Sequence, residues 1–239
     1  MNTWKNNNVL KRIEESYFLE DTDRDEAPGL PADARPVGGT IFFIDNTADG
    51  IYEFFDIDGN LMENVQVGDR PHTYRVVEKG SKDKYYVYHD KVYSGLWTYY
   101  EKGGYAYDLL DTSEDIGSGE MNTEKAMAND SYVTADAKGY PTIWYQLQQA
   151  RNDKVGGCDD WFVPSVDEFE ELRKAVESGS ITGGIIAGSS YNTSVFSNKH
   201  LWTSSETSLL SAYAWDLEDQ YWNGVGKYGL FSVLFTRAF

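Results

Sequence analysis

Residues 201–239, LWTSSETSLLSAYAWDLEDQYWNGVGKYGLFSVLFTRAF, constrain the fold more than any other part of the chain. The stretch is aromatic, punctuated by glycine and free of proline, and its basic residues are Lys227 and Arg237. Its β-prone runs, Ala212–Leu217, Gln220–Trp222 and Leu230–Phe239, predict a terminal antiparallel β region. Two readings of its side chains stand open. Tyr, Trp, Phe, Leu, Ser, Asn and Gly alternate much as they do in surfaces that touch a partner. Alternatively, the aromatics are the core of a β-meander.

A chain of 239 residues has room for one large domain or two modest ones. Aromatic residues at 15%, with 22 Gly against 6 Pro, favour short strands and many turns over a helical bundle. The balance of 21 basic against 39 acidic residues leaves a net charge of −18, which repels phosphate backbones and anionic lipid. No basic patch offsets it, so nucleic acid is not an expected partner. No apolar run approaches the roughly 18 residues of a membrane span. The start, MNTWKNNN, lacks the apolar segment of a signal peptide. Either the protein stays inside the cell or a leader has been removed. The single cysteine, Cys158, excludes an internal disulfide and any metal site built on several cysteines. It reads as a small packed residue near a turn.

Residues 1–36 read as a polar N-terminal segment and linker, with a short helix over Val9–Leu19 followed by the charged, Pro-rich EDTDRDEAPGLPADARP. Thr40–Asp45 and Ile51–Asp56, joined by the turn NTADG, give a strong hairpin signal, and Asp58-Gly59 marks a second turn before Leu61. The string Asp56-Ile-Asp58-Gly-Asn60 reads as turn chemistry. Its glycine comes too early for an EF-hand and the bidentate Glu is missing. Strands are expected over His72–Glu78, Lys84–Tyr88 and Gly95–Tyr100 in a tyrosine-rich middle section whose rings pack across strands or stack on a sugar. A short helix is expected over Asn122–Asn129, capped by Asn122 or Thr123. A second runs over Thr142–Arg151 with Pro141 at its first turn. Ser165-Val-Asp-Glu168 is a capping box, and Val166, Phe169, Leu172 and Val176 give the following helix an apolar stripe that stops at Gly179.

Catalytic signatures are missing from the pattern. His72, His89 and His200 show no zinc-ligand spacing, and no GxSxG, P-loop or GxGxxG is present. Paired acids such as Asp159/Asp160 and Asp167/Glu168 are adjacent in sequence, which is not convergence on a cleft. The chain therefore reads as non-enzymatic, with no cofactor and no metal.

Several segments together carry a family resemblance. Gly38-Gly-Thr-Ile-Phe-Phe-Ile-Asp45 resembles the GGxIFYxD opening of a set of bacterial domains, and Asp160-Trp-Phe-Val-Pro-Ser165 with its acidic helix resembles their DWxLPsxxEL segment. Leu201-Trp-Thr-Ser-Ser-Glu206 resembles their YWSSSE segment, and Ala214-Trp215 and Thr236-Arg-Ala-Phe239 match the AW and closing RAF. These are bacterial C-type-lectin-like domains of the formylglycine-generating-enzyme type, which include the variable proteins of diversity-generating retroelements. The resemblance covers roughly residues 37–239. It implies one α+β, C-type-lectin-like domain over 37–239 with antiparallel sheets, two main helices and paired N- and C-terminal strands, so that Thr40–Ile44 lies beside Val233–Phe239. The family's basic residue and proline near the end are Leu234 and Phe235 here. The lone Cys158, outside the terminal region, argues against formylglycine chemistry. Trp222-Asn223 is followed by Gly224 and no Glu-Pro-Asn exists, which argues against a calcium-dependent sugar site. Relatives are often exported, which implies the cell surface or the extracellular space.

The variable-protein resemblance implies a receptor- or adhesin-like protein that binds a protein or glycan ligand through a diversified C-terminal surface. A non-variable structural or surface protein on the same scaffold, or a calcium-independent carbohydrate-binding module, are the alternatives. In such systems template adenines are randomised, commonly in Asn codons. An AAC or AAT codon so altered never encodes Trp, Met, Gln, Glu or Lys. Trp202, Glu206, Trp215, Glu218, Gln220, Trp222 and Lys227 are then scaffold or unmutated positions, with Trp215 and Trp222 buried as supports. The expected ligand surface is Leu209, Leu210, Ser211, Tyr213, Leu217, Asp219, Tyr221, Asn223, Val225, Tyr228, Leu230 and Phe231. Tyr213, Tyr221 and Tyr228 would be its anchors, and Leu217, Asp219 and Tyr221 would share one strand face. The competing expectation is that Leu209, Leu210, Leu217, Leu230 and Phe231 are core.

Overall fold

A computed structural model describes residues 30–45, 51–78, 84–98, 100–101, 104–105, 109–129, 132–133, 140–182 and 200–239. The helix expected over Val9–Leu19 and the NTADG turn at 46–50 lie outside the described residues. In chain order the strands are β1 (Arg35–Pro36), β2 (Thr40–Asp45), β3 (Ile51–Phe55), β4 (Leu61–Met62), β5 (Thr73–Glu78), β6 (Lys84–Leu96), β7 (Tyr100–Glu101) and β8 (Gly104–Tyr105). Helices α1 (Gly119–Met127), α2 (Ile143–Asn152) and α3 (Val166–Glu177) follow. The chain ends with β9 (His200–Ser208), β10 (Ser211–Asp216), β11 (Tyr221–Gly226) and β12 (Leu230–Ala238). The architecture is α+β. One sheet has six strands in the order β11-β10-β9-β12-β6-β2, and a smaller one has the order β1-β5-β3-β4. Among the described strands pairing is antiparallel apart from β12 against β9, and Leu96 of β6 makes a further parallel bridge to Thr142.

Two strand pairings expected from sequence are corrected. β2 and β3 do not form a hairpin: β2 joins the large sheet and β3 the small one. Both edges of β2 are occupied, one by β6 and the other by the 66–69 loop, where Gly68 N–H donates to Ile41 O (2.8 Å) and Ile41 N–H donates to Asp69 O (3.0 Å). The N- and C-terminal strands do not pair either, because β6 runs between β2 and β12. Lys84–Tyr88 and Gly95–Tyr100 do not form separate strands. β6 is continuous through the polar His89-Asp-Lys91, where the ladder to β12 slips between Leu234↔Val92 and Thr236↔Tyr88. A bulge absorbs the break in apolar alternation that reads as a strand end. Residues at the end of the expected linker are packed: Ala34 is buried and β1 pairs with β5.

The large sheet is covered on both faces. α3 lays Phe169, Leu172 and Val176 against Phe42, Tyr86, Leu201, Trp215 and Leu234. On the other face α2 brings Ile143, Trp144 and Leu147 against Trp97, Trp202, Val233 and Phe235. The small sheet joins that second face through Tyr74, which stacks on Phe239 with centroids 3.9 Å apart.

Helix α3 starts and stops as its sequence predicts. Ser165 caps it in a reciprocal box with Glu168, and Gly179 follows the end with φ +77°. Thr142 caps α2 and accepts from Tyr145 N–H, so Pro141 stands one residue before the cap. α1 begins earlier than expected, after Ser118, because Asn122 and Thr123 are buried within it instead of capping it. Asn122 accepts from Ser113 N–H and donates to Ser113 O and Ser204 Oγ, while Thr123 Oγ1 accepts from Val163 N–H.

The segments that carry the family resemblance meet at one junction. Arg237 donates to Asp160 (2.6 Å) and to the carbonyls of Pro36 (2.7 Å) and Val37 (3.1 Å). Phe162 bridges Thr236, and Ser204 N–H donates to Pro164 O. Gly38 adopts φ +79°, and a side chain there would meet Cys158 Sγ at 2.7 Å and Trp161 at 3.0 Å. Cys158 is buried in this junction, as its reading as a small packed residue expects. In the 56–60 turn the Asp56 carboxylate accepts from the N–H groups of Asp58 and Asn60 and from the Asn60 amide, so it is occupied by its own turn.

Glu168 makes stability pH-dependent. Burial raises its pKa from 4.5 to about 7, against the N–H donations of Ser165 and Gly117. The folded state therefore holds this proton more tightly, so the contribution is fully present below 4.5 and is lost as pH rises through about 7. His89 works in the opposite direction. Burial lowers its pKa from 6.5 to about 4, and its contribution is lost as pH falls through that interval. Urea titrations of Glu168→Gln and the parent from pH 4.5 to 7.5 separate the two. The variant should gain relative stability as pH rises, by up to about 3 kcal/mol. A difference independent of pH would refute the assignment.

Candidate ligand-binding surface

The terminal sheet stands on a buried polar base. Lys227 forms an ion pair with Glu206, and both side chains are almost fully enclosed. The Lys227 ammonium also lies 4.5 Å from the Trp97 ring centroid. The second Glu206 oxygen accepts from Leu110 N–H (2.8 Å). Lys227 O accepts from the N–H groups of Trp97 and Thr98, and Lys227 N–H donates to Leu210 O (3.0 Å). One lysine thus ties the turns on either side of β10 and β11 to the core. Trp202 and Trp215 are buried as well.

Of the twelve residues expected at the surface, Leu217 is the one that is buried. It sits at 4% exposure under α3, next to Trp215. Leu209, Leu210, Tyr221 and Tyr228 are 44%, 52%, 46% and 58% exposed, and Asp219 is exposed too. Ser211, Tyr213, Asn223, Val225, Leu230 and Phe231 are half-buried. The expected single strand face of Leu217, Asp219 and Tyr221 does not exist. Leu217 and Asp219 belong to the 217–220 turn, and Tyr221 opens β11. Trp222 is half-buried rather than buried, wedged against Phe169, Tyr213 and Trp215 with centroids 5.2–6.4 Å away. Among the expected scaffold residues Glu218 and Gln220 are exposed.

Strand register divides the expected surface in two. Ser211 pairs with Gly226, Tyr213 with Gly224 and Trp215 with Trp222, so these six share the face that α3 covers farther in. Tyr221, Asn223 and Val225 lie on the opposite face, opposite Asp216, Ala214 and Ala212. Phe231 packs on Trp202 (4.8 Å) and stacks on His200 (4.6 Å), and Leu230 pairs with Leu96, which places both at the margin of the core.

The first face makes the more coherent surface. The Tyr228 ring folds back over Gly226, where an added Cβ would meet it at 2.6 Å. Tyr213 stands beside Gly224, and the Thr207 side chain lies 3.2 Å from where a Cβ on Gly224 would be. Gly226 and Gly224 thus leave room for the Tyr228 ring and the Thr207 side chain on the face that carries Tyr213, edged by the linked hydroxyls of Thr207, Ser208 and Ser211. Partial burial, and then a hydrogen bond and the charge of Glu114, raise the Tyr213 phenol pKa. Leu209 and Leu210 form an apolar rim at the β9–β10 turn. Such a surface offers stacking and hydroxyl hydrogen bonds. Thr207, Ser208, Gly224, Gly226 and Glu114 are contributors that sequence reasoning missed. The alternation of Gly224 and Gly226 opposite Tyr213 and Ser211 was their available signal. Among the described residues no cluster of His, Cys, Asp and Glu with the makings of a metal site occurs, and no helix is long and apolar enough to cross a membrane.

No protein-family model matches the chain, and no curated protein matches its sequence.

Proposed function

We propose that this is a non-enzymatic, receptor- or adhesin-like protein that displays its C-terminal sheet to a protein or glycan ligand, on a C-type-lectin-like scaffold like that of the variable proteins of diversity-generating retroelements. The observation that carries it is a separation of roles within residues 201–239, from which the exposed Glu218 and Gln220 and the buried Leu217 depart. Trp202, Glu206, Trp215 and Lys227, which adenine randomisation of an Asn codon cannot produce, form the enclosed frame. Leu209, Leu210, Ser211, Tyr213 and Tyr228, which it can produce, cluster around the open face. Such a division lets the displayed side chains change while the frame keeps the fold. The scaffold part of the reading rests on the α+β architecture and on the junction of the resembling segments, not on adjacency of the terminal strands.

The gene itself provides the test. A near-identical downstream repeat that differs at adenines, beside a reverse transcriptase gene, supports diversification; its absence from the locus refutes it. A protein-level test uses the double change Tyr221→Ala and Tyr228→Ala. Both rings are about half exposed, so the thermal midpoint should move by only a few degrees. Core rings would instead cost roughly 3–5 kcal/mol each.

The two tyrosines and the hydroxyl edge favour a second reading, a calcium-independent carbohydrate-binding module. Glycan-array binding that survives a chelator and is lost in Tyr213→Ala would select it.

A further inference from the structure

Among the described residues the outer edge of β11 is unpaired. Within them β11 pairs with β10 alone, and no backbone hydrogen bond from another segment reaches Tyr221–Val225. The opposite edge of the sheet, β2, is by contrast closed by the 66–69 loop. Proteins commonly blunt an open edge with a charge, a proline or a bulge. β11, Tyr221-Trp-Asn-Gly-Val-Gly226, has neither charge nor proline, and its six pairs with β10 run without a register shift. A neutral, regular edge is notable in a chain of net charge −18.

We propose that this edge pairs with β11 of a second copy of the chain, antiparallel about a two-fold axis at Asn223, to give a continuous sheet of twice the width. The strand is self-complementary in that register. Asn223 faces Asn223, Tyr221 faces Val225 and Trp222 faces Gly224 across the axis. An aromatic ring thus meets a β-branched side chain on one face and a residue without a side chain on the other. The acidic Glu218 and Asp219 of one copy then lie beside the 227–229 turn of the other, not beside their own counterparts. The contact is small, below the roughly 1,200 Å² of a stable interface, so the dimer is weak and reversible. It sets the Tyr213–Tyr228 faces of two copies side by side on one side of the sheet, a bivalent display. The inference does not depend on what that face binds.

Cysteine cross-linking tests the register. Cys158 is buried, so a thiol placed at the surface is the reactive one. Facing residues of an antiparallel pair have Cα atoms about 4.5–5.5 Å apart, within disulfide range. Asn223→Cys should give a reducible dimer under mild oxidation, and Asp219→Cys, more exposed but far from the axis, should not. Sedimentation equilibrium of the unmodified chain should show a dimer with a dissociation constant on the order of 10–100 μM. Raising the salt should tighten it several-fold, by screening the repulsion between two anionic copies. Asn223→Lys, with an unchanged circular dichroism spectrum, should weaken it at least about tenfold, by placing like charges face to face. Equal cross-linking of both cysteine variants, or a dimer that salt weakens, would overturn the proposal. A chain that stays monomeric throughout would also overturn it and leave the edge to an extended segment of another protein.

Discussion

Lys227→Ala should destabilise the protein by about 3–5 kcal/mol, enough to unfold a domain of ordinary stability. The substitution leaves Glu206 with its carboxylate enclosed, still accepting from Leu110 N–H but without its countercharge. It also removes the cation over Trp97. Urea denaturation gives the number, and comparison of Lys227→Met alone with Lys227→Met combined with Glu206→Leu gives the cause. If the buried charge is responsible, the double change Lys227→Met, Glu206→Leu should recover much of the loss, since replacing a buried pair with apolar groups is often close to neutral. Equal losses in the single and double variants would show that packing, not charge, is what Lys227 contributes.

Arg237→Ala should cost about 2–4 kcal/mol, whereas Asp160→Ala should cost less than about 1 kcal/mol. The two residues share an ion pair but not an environment. The Arg237 side chain is enclosed and Asp160 is about half exposed. Arg237 also donates to the carbonyls of Pro36 and Val37 and lies 5.0 Å from the Phe239 ring, so its loss takes a charged donor from two carbonyls at once. Arg237→Lys should recover little, because a single ammonium cannot reproduce a planar fork that spans three acceptors. Thermal unfolding of the three variants checks the ranking. An Asp160→Ala loss as large as that of Arg237→Ala would place the energy in the ion pair and refute the argument.

What could be read from the sequence was local. The Ser165 capping box, the apolar stripe of α3 and the Gly179 stop depend on neighbours three or four residues away, and they stand in the structure as written in the sequence. Three of the four strands there, β10, β11 and β12, were legible for the same reason, whereas β9 (His200–Ser208) was not among the expected runs; turns put Leu209, Leu210 and Tyr228 outside whatever packs below. Tertiary structure decided which strands met. Thr40–Asp45 and Ile51–Phe55 look like a hairpin because they are adjacent and alike, yet the 66–69 loop and β6 take both edges of β2, a competition between distant segments that no local pattern records. The split of the expected surface into two faces was likewise set by cross-strand register, which pairs Tyr213 with Gly224 and Ala214 with Asn223. Leu217 shows the limit most plainly. It has the parity of Trp215 and follows it under α3, so burial there depends on a helix placed some fifty residues earlier in the chain. Periodicity fixes which side chains share a face of an element, but the free energy of burying that face depends on what arrives to cover it.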